Sequence, residues 1–191
     1  MRKNEFEDPG KQTSLGRPRA FDTIFFGGLA IGIFDLIFAF TFYGLILGAK
    51  PLRIFQSVAG GVLGRTAAIE GGVKTFLLGI MLHFVVATCI ATVYYFISRL
   101  LPWVLRNAVV SGLIYGVIAY LGMNYVVVPL SAIGRRPGSK PLWIFMIEII
   151  GHALLVGLPV ALLARRSAKG SGTINYHSAL NQPSERTEGV V

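Results

Sequence analysis

"TIFFGGLAIGIFDLIFAFTFYGLIL", residues 23–47, carries a single charge, Asp35, in 25 positions. A helix of that length rises roughly 37 Å, enough to cross a bilayer with some tilt. The run exceeds the apolar core of a signal peptide, and no small-residue cleavage site follows it. Three further runs pass the same test, at 75–98, 107–130 and 142–164. Backbone groups in lipid must be satisfied within their own segment, so long unbroken runs read as helices rather than barrel strands. The expected fold is an all-α polytopic membrane protein with four transmembrane helices.

Composition agrees. Of 191 residues, 53% are hydrophobic and only 14% charged, with a mean hydropathy of +0.64, above that of an ordinary soluble domain. The net charge of +9 comes from Lys and Arg in tails and loops beside the apolar spans, which suits a lipid bilayer with anionic headgroups as partner. No basic groove, zinc pattern or aromatic RNA-binding motif points to nucleic acid. Cys89, the single cysteine, excludes an intrachain disulfide and reads as a small packing residue within a span.

Residues 1–20 and 167–191 are polar and rich in Gly, Ser, Pro and Asn, and read as disordered tails flanking a domain at 21–166. Between the first two spans, "KPLRIFQSVAGGVLGRTAAIEGGVK" (50–74) is neither a clean span nor a polar loop. Leu52, Ile54, Phe55, Val58, Val62 and Leu63 form an apolar stripe, so an interfacial helix, or a re-entrant one dipping at Gly60, Gly61 and Gly64, is expected. Positive residues number eleven on the side of both tails and the second loop against seven on the other, which places the termini in the cytoplasm. Tyr94, Tyr95, Trp103 and Trp143 fall near span ends as interfacial anchors, and Pro129 and Pro159 bend or terminate their helices.

The polar residues within the spans are few: Asp35, His83, Asn124, Glu148 and His152. A charge at mid-bilayer costs at least roughly 2.5 kcal/mol, so such groups turn inward and find partners. Asp35 shares a helix face with Gly28, Gly32 and Ala39, and His83 with Gly79, Ala87 and Ala91; Gly112 and Gly116 repeat the small-residue spacing. These faces suit packing within the chain or in a homo-oligomer. Counting about 1.5 Å per residue from the loop-side end of each span puts Asn124 and Glu148 roughly 9 Å deep, His83 12 Å, His152 15 Å and Asp35 18 Å. One cluster in the half of the membrane away from the tails is therefore expected, with Glu148 and His152 on one face of a helix.

Three roles fit such a cluster: a hydrogen-bond network that only fixes packing, a protonatable relay or solute site, or a metal site on His83, Glu148 and His152 that activates water. The Glu-x-x-x-His spacing is neither that of di-iron bundles nor that of helical metalloproteases. No bound cofactor is expected, and no nucleophile pattern or phosphate loop marks an enzyme.

The order "LHF", "YYF", "LP", "SGLIYG", "VVVPLSAIGRRP" and "IEIIGHALL", carried by His83, Pro102, Gly112, Gly116, Pro129, Glu148, Gly151 and His152, resembles YagU-type bacterial inner-membrane proteins. The resemblance covers roughly residues 75–166, and Glu-x-x-Gly-His is its most specific element. It implies a bacterial inner-membrane location and a multi-helix fold, and no particular activity.

Overall fold

The computed structural model describes residues 16–134 and 140–180; the remainder of both expected tails lies outside the described residues. Four helices are long and apolar enough to span a membrane: α1 (Asp22–Ile46), α4 (Gly72–Leu100), α6 (Ala108–Leu130) and α7 (Leu142–Ser171, its helical backbone continuing to Leu180). Between α1 and α4 lie two shorter helices, α2 (Pro51–Leu63) and α3 (Arg65–Glu70), and the turn α5 (Pro102–Arg106) joins α4 to α6. The chain is an all-α, multi-pass membrane protein.

The start of α1 and the end of α7 lie together, since Thr23 Oγ1 is 3.3 Å from Ser167 Oγ and Gly16 N–H donates to the Ala168 carbonyl. This is the terminal side. The opposite, loop side carries α2, α3 and the α6–α7 connection, tied by the Ala132 N–H to the Gly61 carbonyl at 2.8 Å.

Small residues set the helix spacing. A Cβ on Gly28 would meet Thr88, and one on Gly32 would meet the Phe84 ring, so α1 lies close along α4. Gly112 and Gly116 abut Gly157, Ala161 and the His152 carbonyl, so α6 and α7 approach backbone to backbone. The glycine faces read from the sequence are thus filled by the chain's own helices. The apolar core, with Ile31, Ala91, Tyr94, Tyr115, Val156 and Val160, occupies the terminal half of the bundle. Ile33, Phe34, Leu77, Met81, Ile118 and Ile150 face outward, as lipid-facing positions should.

Pro159 interrupts its span without ending it, and Pro129 lies one residue before its span ends at Leu130. Each lies two residues after a wide π-turn, Met123–Val127 before Pro129 and Ala153–Gly157 before Pro159. Proline lacks an N–H and its ring crowds the carbonyl four residues back, so the preceding turn widens and the helix continues.

Three expectations are corrected. Residues 167–180 are helical rather than a disordered tail: Ser167 and Ala168 are buried against α1 and the segment before it, and Arg19 N–H donates to Ser167 Oγ at 3.2 Å. Tyr94 and Tyr95 are buried, not interfacial, and Tyr94 turns to Ser111 and Tyr115 of α6; Trp103 and Trp143 are exposed. Cys89 points outward rather than packing within the bundle.

The segment at 50–74 lies against the flank of the bundle rather than beyond its end. Phe55 and Gln56 of α2 are buried on α4, and a Cβ on Gly79, two turns into α4, would overlap the Phe55 backbone. The absence of a side chain at 79 is what seats α2 there. Gly64, with φ +80°, then breaks α2 from α3, a conformation that L side chains rarely adopt.

Candidate functional site

The five polar residues lie in the loop-side half, but as two adjoining groups rather than one. In the first, Asp35 of α1 stands between two imidazoles: Oδ2 is 3.9 Å from His83 Nδ1 on α4, and Oδ1 is 3.9 Å from His152 Nε2 on α7. Each ring is held by its other nitrogen. His83 Nε2 donates to the Gly32 carbonyl and His152 Nδ1 to the Glu148 carbonyl, both at 2.9 Å. A carbonyl only accepts, so those nitrogens carry the hydrogens and the basic nitrogens face Asp35. A separation of 3.9 Å is longer than a hydrogen bond. With both rings neutral and Asp35 ionised, each basic nitrogen faces its own carboxylate oxygen with no hydrogen between them.

The second group surrounds Glu148, whose side chain is 1% exposed. Tyr43 Oη donates to Oε1 and Tyr120 Oη to Oε2, each at 2.5 Å, and Lys140 Nζ reaches Oε2 at 2.6 Å. Lys140 also lies 5.9 Å above the Tyr120 ring and 3.5 Å from Asn124 Oδ1, while Asn124 Nδ2 donates to the Tyr120 carbonyl at 3.1 Å. Asn124 therefore joins the cluster through Lys140 and Tyr120. The carboxylate is fully engaged, as a buried charge must be to persist. The two groups touch where the His152 ring packs edge-on against Tyr120, with centroids 5.1 Å apart.

The expected metal set of His83, Glu148 and His152 is not assembled. The Glu148 carboxylate is turned to Lys140 and the tyrosines, and only its backbone carbonyl meets His152. Among the described residues no three His, Cys, Asp or Glu side chains converge on a metal-binding point.

A cavity of about 570 Å³ opens onto the first group from the loop side. Asp35, His83 and His152 line its inner part, and Arg53, Gln56 and Ser57 of α2 and Arg65 of α3 line its outer part, with Phe38, Ile54, Val58 and Ile133 as apolar wall. The α2 helix is held over it by Phe55, whose ring lies 5.6 Å from Phe40, 5.3 Å from Phe76 and 6.0 Å from His83. Gln56 Nε2 anchors the same turn, donating to the Gly72 carbonyl at 3.1 Å and the Ile69 carbonyl at 3.3 Å.

Sequence reading missed Tyr43, Tyr120, Lys140 and the cavity arginines. The signal was present for Tyr43, which the same count puts roughly 6 Å deep, close to Glu148, whereas Tyr120 counts to roughly 15 Å, level with His152. Lys140 precedes the fourth span by two residues and looked like a loop charge. Comparison with protein-family models, curated proteins and solved structures returns no match for this chain.

Proposed function

We propose that this chain is a YagU-like protein of a bacterial inner membrane, with both termini in the cytoplasm, that binds protons at Asp35, His83 and His152 in response to the pH of the opposite side and handles a small solute in the cavity above them. The observation that carries the proton reading is the aim of both basic imidazole nitrogens at one carboxylate. One proton shared among the three groups replaces a contact of three acceptors with charge-assisted hydrogen bonds, and histidine is the side chain whose ordinary titration lies near neutrality. Asp35 would pass that proton between two helices, α4 and α7, that do not exchange it directly.

The Glu148 group is read differently. Its buried carboxylate is held by a lysine and two tyrosines and does not line the cavity, which supports the role of a network that fixes packing. The reading as a metal-dependent enzyme draws no support from the donor arrangement.

The test is a histidine-selective ¹⁵N NMR titration of the full chain in lipid nanodiscs between about pH 5 and about pH 8. The signals of His83 and His152 should titrate as a coupled pair, and Asp35→Asn should uncouple them. Independent titration of the two rings in the parent protein, unchanged by Asp35→Asn, would sink the proposal.

A further inference from the structure

The proton reading leaves the outer part of the cavity unexplained. Arg53 and Arg65 line it and are exposed, and among the described residues neither guanidinium has an ion pair or hydrogen bond. Two guanidiniums against the one carboxylate of Asp35 leave the lining net positive even with both imidazoles neutral. The volume of about 570 Å³ falls within the usual small-molecule range of roughly 300–1,000 Å³.

We propose that this cavity binds a small amphiphilic anion: a carboxylate or phosphate with an apolar body. The charged group sits on Arg53 and Arg65, whose planar forks match carboxylate and phosphate oxygens. The apolar body lies along Phe38, Ile54 and Val58. This deepens the solute part of the function proposed above and rests on the same cavity. A free amphiphile and the headgroup of an anionic lipid offer the same chemistry to the two arginines.

The probe is radiolabelled N-octanoylglycine, which carries a carboxylate, an N–H and an alkyl chain, bound at equilibrium to the full chain in phosphatidylcholine nanodiscs. Saturable binding is expected, weakened about tenfold or more in Arg53→Gln/Arg65→Gln and less in Arg53→Lys/Arg65→Lys, which keeps charge without the fork. Both positions are exposed, so helix content measured by circular dichroism should not change. Displacement of the probe by phosphatidylglycerol in the disc would support the assignment with a lipid headgroup as source; absence of displacement would support it with a free amphiphile. Equal binding by the parent and the glutamine double variant would overturn it, as would equal displacement by inorganic phosphate, which has no apolar body. Histidine titration in probe-free samples reads the proton site separately, so failure of one proposal is distinguishable from failure of the other.

Discussion

The ammonium of Lys140 lies 2.6 Å from the carboxylate of Glu148, pairing a residue outside the fourth span with one buried inside it. Lys140 is about one-third exposed while Glu148 is sealed, so the lysine reaches down to the charge. Removing Lys140 therefore abandons a buried carboxylate. Lys140→Ala is expected to cost about 2–3 kcal/mol in equilibrium unfolding in mixed micelles, and Lys140→Ala/Glu148→Gln less, because glutamine keeps polar contacts with Tyr43 and Tyr120 without the charge. Additive losses in the double variant would show that the pair does not interact.

The two histidines should hold opposite tautomers when neutral. His83 gives its Nε2 hydrogen to Gly32 and His152 its Nδ1 hydrogen to Glu148. Ring ¹⁵N chemical shifts above neutral pH, with His177→Gln used to remove the third histidine, should report one ring of each kind. Two rings of the same tautomer would contradict the arrangement around Asp35.

Gly79→Ala is expected to displace α2, because the new methyl group would occupy the space of the Phe55 backbone, which cannot rotate aside. A loss of about 1–3 kcal/mol and faster maleimide labelling of a Ser57→Cys reporter should follow. Gly122→Ala meets nothing within 4 Å and serves as the control. Its expected effect is neutral or a gain of up to about 1 kcal/mol from helix propensity.

Tyr94 is a buried packing residue of α4 rather than an interfacial anchor. Its ring is 1% exposed, packs at 5.0 Å on Tyr115 and places its hydroxyl 3.2 Å from Ser111 Oγ. Tyr94→Ala should cost about 3–5 kcal/mol, whereas Tyr94→Phe, which leaves Ser111 bonded to the Val104 carbonyl, should cost about 1 kcal/mol or less. Trp103→Ala, at an exposed position, should change unfolding little.

These outcomes separate what sequence could reveal from what it could not. The spans were legible because lipid imposes a minimum length and near absence of charge, and Asp35, His83 and His152 were legible because depth along a helix follows from residue number. Depth says nothing of direction around the axis. Glu148 and His152 share a face, yet side chains tilt toward the helix N-terminus, so the His152 ring lies over the Glu148 carbonyl while the Glu148 carboxylate reaches Lys140. The same blindness hid Tyr94, whose position near a span end suggested an interface when its face pointed at α6. Polar composition misled at 167–180 for another reason. Serine and alanine there are small enough to seat against α1, and their packing outweighs the polarity of their neighbours.

The notch at residue 79 also dictates an order of events during biogenesis. Phe55 leaves the ribosome while Gly79 is still inside it, so α2 emerges without its seat. Until the second span enters the bilayer, that segment has no place to rest except the water-facing surface. The loop-side half of this protein is therefore completed by a piece of chain that was synthesised before the helix that seats it.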